Sequence, residues 1–284
     1  MKRIAALTML RNDEFFLSKW VEYYGSQLGK DNLYIYFDGE DQEIPDFCKG
    51  ANTERLPHTD MPVHKGDRYR IDILSRKAAD LFNQGYDAVI GTDIDEFLIP
   101  ESAGVLPEAI SILCDDPRRG KGKRTGISAL GIDVGQDTRS EGPIDPKKTL
   151  LSQRHAALLN TRYTKANILF RPAQWGSGFH RIRHGSLHIA PNLYLFHFGS
   201  ADKARIEAKF GDAERMKNGW QRHLGKRLRT VNAVSSLPLC DWDKWTARAR
   251  RLQSIIRPIY ALNKPAMLGL RIVVNIPEEF RDAV

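Results

Sequence analysis

An α/β fold with a mostly parallel central sheet flanked by helices, followed by a helical C-terminal part, is predicted by three features. The chain opens as strand, helix, strand: an apolar run at Ile4–Leu10, an apolar stripe at Leu17, Val21, Tyr24 and Leu28, then a second run at Leu33–Phe37. Ala88, Val89 and Ile90 form a short apolar segment opened by Gly85 and closed by polar residues, the pattern of a strand buried on both faces. Charge is the third feature. Residues 1–201 carry no net charge, and the whole +8 lies in residues 202–284, which hold two basic amphipathic stretches. With 284 residues the chain makes one large domain or one domain plus an extension; the charge change predicts a body over 1–200 and a basic, mainly helical extension over 201–284.

Taken in order, Ile4–Leu10 is the first strand, and Asn12 or Asp13 is placed to cap the helix that follows. Phe16, Trp20 and Tyr23 widen that helix's apolar stripe, and Gly29 ends it. The second strand leads into the acidic loop Asp38–Gln42. A long loop over His58–Asp67 precedes an amphipathic helix predicted to start at Asp67 and to carry Tyr69, Ile73 and Leu81. That helix delivers the chain to Ala88–Ile90. A further helix is expected over Val105–Leu113, and Arg118–Arg124 reads as a basic, glycine-rich loop without the P-loop order. Gly126–Ile132 is a strand ending in Asp133; 134–160 reads as loop with one short helix; Tyr163–Phe170 and Leu193–Phe198 resume strand character. Asp202–Asn218 and Trp242–Tyr260 are the basic amphipathic helices, suited either to packing on the body or to lying in a membrane interface.

The chemistry gathers after Ile90. Asp93, Asp95 and Glu96 follow the buried strand within a few positions, and open α/β sheets bind ligands at the carboxyl ends of their strands. Asp93 and Asp95, two apart in extended chain, would face the same side and repel. A hard divalent cation, Mn²⁺ or Mg²⁺, held by one or two carboxylates plus substrate phosphates, relieves that repulsion. A solvated acidic turn is the plainer alternative. His197 interrupts an apolar strand, and reads either as a core residue or as a third ligand.

Composition narrows the rest. Cys48, Cys114 and Cys240 show no metal or disulfide spacing, which favours a reducing compartment. The N-terminal apolar run is too short for a signal segment, and no stretch is long enough to span a membrane, so a cytoplasmic location is expected. The neutral first two-thirds argues against nucleic-acid binding.

Five pieces in the right order resemble one family. Leu10–Glu14 with Leu17–Tyr24 is similar to the opening of the family 2-like bacterial glycosyltransferases. Leu33–Gly39 resembles their second strand and its Asp-Gly loop, and Asp93-Ile-Asp-Glu-Phe97 resembles their Asp-x-Asp-Glu-Phe signature. Lys165–Pro172 with His180, and His197-Phe198 with the lysine-bearing helix after it, resemble two downstream blocks, although Phe198 stands where the family has Tyr and Ser200–Lys203 departs from its pattern. The match spans roughly residues 4–219.

The resemblance implies a GT-A-type nucleotide-binding domain and a hexosyltransferase that uses a nucleotide-sugar donor, UDP by default, and a divalent cation. Its acceptor would be a glycan or lipid-linked glycan in cell-surface polysaccharide synthesis, with peripheral contact to the inner membrane face through the basic helices. Asp95 and Asp93 would hold the metal, His197 or His180 would reach it from the other side, and Asp93 would contact donor hydroxyls. Thr8, Arg11, Asn12, Asp38 and Gly39 would line the base and ribose pocket, and Lys165 and Arg171 would face the diphosphate. Glu96 or Asp133 would be the base for an inverting transfer; a retaining one needs none. Two alternatives stand beside this reading: a non-catalytic nucleotide-sugar or membrane-surface binding module, and an Asp-x-Asp phosphohydrolase, which normally carries its nucleophile on the first strand.

Overall fold

The structure is a computed structural model that describes residues 2–101, 104–116, 124–183, 185, 187–256 and 264–284. The predicted α/β class is the class observed. Strands β1 (Ile4–Leu10), β2 (Leu33–Asp38), β3 (Asn52–Leu56) and β4 (Ala88–Gly91) pair in parallel in the order β3-β2-β1-β4. Helices α1 (Glu14–Leu28) and α2 (Val63–Asn83) cover this half, one on each face. Parallel strands need crossover helices, and apolar side chains on both faces of β1 and β4 give each helix a surface to bury against.

Beyond β4 the sheet becomes mixed. Strand β5 (Glu96–Pro100) turns away from β4, α3 (Leu106–Asp115) follows, and β6 (Gly126–Gly135) runs down the middle of the molecule. β7 (Ala156–Leu159) pairs antiparallel with β6, and β8 (Ile168–Leu169) pairs antiparallel with both β4 and β6. β9 (Ile189–Ser200) lies parallel to β6 and antiparallel to β5. The mostly parallel arrangement thus belongs to the N-terminal half, where each connection is long enough for a crossover.

The C-terminal part differs from its sequence pattern in instructive ways. The single helix expected over 202–218 is broken into α4 (Lys203–Ala208) and α5 (Ala213–Lys217), because Asp202 and Asp212 each cap a new start by accepting the backbone N–H of Arg205 and Arg215. A helix not anticipated, α6 (Gln221–Ser236), follows, then β10 (Leu239–Cys240), α7 (Trp242–Ile255) and β11 (Val273–Asn275). β10 and β11 extend the sheet beside β7. Trp242 and Ala249 of α7, with Phe280 and Val284, join the same core as β1 and β9. Trp242 lies nearly parallel to the Phe196 ring, with centroids 6.0 Å apart. The apolar face of α7 is therefore spent on packing. Among the described residues no helix is long and apolar enough to cross a membrane. Most of the basic loop at 118–124 and the end of the Trp242–Tyr260 helix lie outside the described residues.

Candidate active site

The C-terminal ends of β1, β2 and β4 meet at one edge of the sheet, as parallel strands must. There Arg11 and Asn12, Asp38 and Gly39, and the turn Thr92–Asp95 become neighbours. Asn12 is held at φ 52°, left-handed backbone that asparagine tolerates better than most residues, and its N–H donates to Gln42 Oε1 at 2.9 Å. Gly39 sits at φ 140°, where a Cβ would fall 2.1 Å from Asp41 Oδ1 and 2.2 Å from Arg11 Nη1; only glycine lets Arg11 pass. Arg11 donates to the Asp38 carbonyl at 2.7 Å and pairs with Asp41. His58 bridges Asp38 (3.0 Å) to Glu214 of α5 (2.8 Å), so the C-terminal part closes over this rim.

Thr8, expected to line the pocket, lies in the core beneath the turn. It is fully buried and donates its hydroxyl to the Thr92 carbonyl at 2.9 Å, while Trp20 Nε1 donates to Thr92 Oγ1. Its work is to anchor the turn that carries the carboxylates.

That turn is not extended chain. The Glu96 N–H returns to the Asp93 carbonyl at 3.1 Å, and the two aspartates separate toward different partners. Asp93 is clamped by Arg70 of α2 and by Lys165, whose Nζ is 2.8 Å from Oδ2. Burial opposes its ionisation, but these two cations outweigh burial and hold the carboxyl well below the usual range. Asp95 is paired instead with Arg227 at 2.9 Å and faces His197 Nε2 at 3.5 Å; His197 and Arg227 likewise overcome burial and lower its pKa. Glu96 is fully buried, with Lys165 Nζ 2.5 Å from Oε1, and burial pushes its carboxyl up to about 7. The repulsion read from the sequence is real, and the chain's own cations offset it.

His197 is the hinge between the two sides of the site. It lies on β9 opposite Asp133 on β6, and Nδ1 is 2.8 Å from Asp133 Oδ1. Asp133 Oδ2 also accepts from Asn160 Nδ2 at 3.1 Å and Thr230 Oγ1 at 2.7 Å. Tyr163 stacks on the imidazole with centroids 3.6 Å apart. The stack depends on Gly131, since a Cβ there would stand 2.3 Å from the Tyr163 carbonyl carbon. Burial works against the imidazolium, but Asp95 and Asp133 raise His197 to about 9.

The other expected site residues take these places. Asp133 lies inside β6 rather than at its end, is 1 % exposed, and has both oxygens engaged, which suits orienting His197 and not receiving an acceptor's proton. Glu96 is sealed in the same way. Asp93 pairs with one cation on each oxygen, Arg70 on Oδ1 and Lys165 on Oδ2. His180 is on the Asp93 side; burial, then Lys165 and Lys264, hold it down to about 3 as a neutral ring. Arg171 is exposed and bonded to Thr125, because antiparallel β8 carries the chain from Lys165 toward the far end of β4.

Among the described residues, no three His, Cys, Asp or Glu side chains converge as a metal cage. Asp133 holds His197 through Nδ1, and Nε2 stands 3.5 Å from Asp95 Oδ2, so that a metal ion could take these two groups only in place of the Nε2 proton; a ring oriented by a carboxylate in this way is a common metal-binding arrangement. Mg²⁺ and Mn²⁺ commonly take one or two protein ligands and complete their shell with phosphates and water, so these residues fit such an ion.

The sequence reading missed Arg70, Asn160, Tyr163, Arg227 and Thr230. For Arg227 a signal existed: it falls on the stripe of Leu224, Val231 and Val234, and a charge on a helix's buried face needs a partner.

No protein-family model and no curated protein matches the chain. Among solved structures, the mannose-1-phosphate geranyltransferase of Thermus thermophilus is similar at TM-score 0.29 and 10% identity, over 96% of this chain and 73% of that one. The mannosyltransferase PcManGT of Pyrobaculum calidifontis, in complex with GDP-Man and Mn²⁺, is similar at TM-score 0.39 and 13% identity, over 83% of this chain and 76% of that one.

Proposed function

We propose that this chain is a divalent-metal-dependent glycosyltransferase that moves a sugar from a nucleoside-diphosphate donor to a glycan or lipid-linked acceptor. One observation carries the reading: the Asp133–His197 pair aims Nε2 at Asp95 at the carboxyl edge of a parallel sheet, beside the Arg11–Asn12 and Asp38–Gly39 turns. In this reading Asn12, Asp38 and Gly39 hold the base and ribose. Asp93, kept ionised by Arg70 and Lys165, accepts hydrogen bonds from ribose or sugar hydroxyls. Asp95 and, once its Nε2 proton is displaced, His197 would hold Mn²⁺ or Mg²⁺, which when bound would supply Lewis-acid neutralisation of the leaving diphosphate. The bond from the sugar's anomeric carbon to the phosphate oxygen breaks, the acceptor oxygen takes its place, and the acceptor's proton passes to the departing diphosphate or to water. Asp133 holds the His197 ring through Nδ1, so that Nε2 would face the ion once its proton is displaced.

A thermal-shift series with UDP-, GDP-, CMP- and dTDP-sugars, each with Mn²⁺ and with EDTA, tests this. Stabilisation by one nucleotide family only with Mn²⁺ supports it and names the donor class. Equal melting in all conditions overturns it. Asp95→Ala protein that still binds nucleotide but transfers no sugar would set aside the non-catalytic module.

A further inference from the structure

The Asp95 oxygen that faces His197 also carries a side chain from far along the sequence. Arg227, on α6, places Nη2 2.9 Å from Asp95 Oδ2, while His197 Nε2 is 3.5 Å from the same atom. Its side chain is only 17% exposed. Gly199 makes this approach feasible: a Cβ there would stand 2.6 Å from His197 Nε2 and 2.7 Å from Arg227 Cζ. Arg227 lines a small cleft together with Arg205 and Lys209. Lys209 is tied to Asp13 at 2.7 Å and Arg205 to Asp202, leaving Arg227 as the cation of this wall that reaches the Asp95 carboxylate.

Resting on the metal and diphosphate reading above, we infer that Arg227 is an internal counter-cation that occupies Asp95 in the empty protein and moves to the donor's diphosphate when a divalent cation takes Asp95. Arg227 and the His197 ring already share Oδ2, and a divalent ion that displaces the Nε2 proton brings a larger positive charge against Arg227 in a site that screens it poorly. Arg227 must leave when the metal enters, and a guanidinium's planar fork finds its best new partner in phosphate oxygens. Metal alone therefore competes with Arg227, whereas metal with a diphosphate gives it somewhere to go. The residue makes the two binding events depend on each other, and the coupling is reciprocal.

Calorimetry with Mn²⁺ alone, and with pyrophosphate added to Mn²⁺-loaded protein, reads both halves. Arg227→Gln is expected to bind Mn²⁺ alone about tenfold more tightly than wild type, and pyrophosphate about tenfold more weakly. Arg227→Lys, which keeps the charge, should stay within about threefold of wild type for Mn²⁺ and serves if the glutamine variant does not fold. With the glutamine variant folded, unchanged or weaker Mn²⁺ binding overturns the counter-cation. If it does not fold, tenfold tighter Mn²⁺ binding by the lysine variant does so. Wild-type protein that binds no Mn²⁺ even with pyrophosphate overturns the metal-dependent function itself, and the inference with it.

Discussion

Asp133 and His197 stand directly opposite each other on the parallel pair β6 and β9, with Oδ1 2.8 Å from Nδ1 deep in the sheet. Strand register therefore fixes the ring's orientation, and Thr230 and Asn160 fix the carboxylate in turn. Asp133→Asn keeps the shape but removes the charge that aligns the ring. Mn²⁺ affinity, measured by calorimetry with a nucleoside diphosphate present, should fall roughly 10- to 100-fold. Unchanged affinity would show that His197 does not ligate the ion.

Lys165, itself buried, joins the partly exposed Asp93 to the fully buried Glu96. Lys165→Met leaves two carboxyl groups without that cation, and breaking a buried pair from one side costs about 3–5 kcal/mol. Urea unfolding should show a loss of that order, and adding Glu96→Gln should recover part of it. A loss below about 1 kcal/mol would mean that Arg70 alone suffices for Asp93.

His180 gives a pH signature. Its ring is held down to about 3 by burial, then by Lys165 and Lys264, against an ordinary value of 6.5. Between those values the unfolded chain takes a proton that the folded chain refuses. Its contribution to stability is full above pH 6.5 and is lost as pH falls, by up to roughly 1.4 kcal/mol per unit. Unfolding curves from pH 7 to 4 should be flatter for His180→Phe than for wild type; parallel curves would contradict the buried neutral ring.

Helix α7 turns Trp242 into the core and its arginines Arg248 and Arg251 outward. Any attachment to an anionic membrane then rests on charge rather than on insertion of the apolar face. Arg248→Glu with Arg251→Glu should lower co-sedimentation with phosphatidylglycerol vesicles at low salt and leave the melting temperature within a degree or two. Trp242→Ala should instead destabilise the fold by about 3–5 kcal/mol. Vesicle binding indifferent to the two arginines would exclude this surface as the contact.

Much of the body was legible because its signals are local. Ile4–Leu10 and Leu33–Phe37 are apolar runs that match β1 and most of β2. The acidic turn after Ala88–Ile90 falls at a strand's carboxyl end, as its position in the run predicts. β7, β10 and β11 were not legible, being two to four residues long and held by neighbours rather than by propensity. α6 was hidden by its polarity, since Leu224, Leu228, Val231, Ala233 and Val234 are its few apolar residues among many charged and polar ones.

By itself the sequence determined that a carboxylate cluster ends a buried strand of an α/β fold, and that a histidine sits within another. Only the tertiary structure decided what each group faces. Asp93 meets Arg70 and Lys165, Asp95 meets His197 and Arg227, and Asp133 becomes the support of His197. The reason is physical: periodicity sets which way a side chain points within its own element, but its partner is chosen by packing. Arg227 reaches Asp95 across 132 residues because α6 lies against β6 and β9, and because Gly199 leaves room for it.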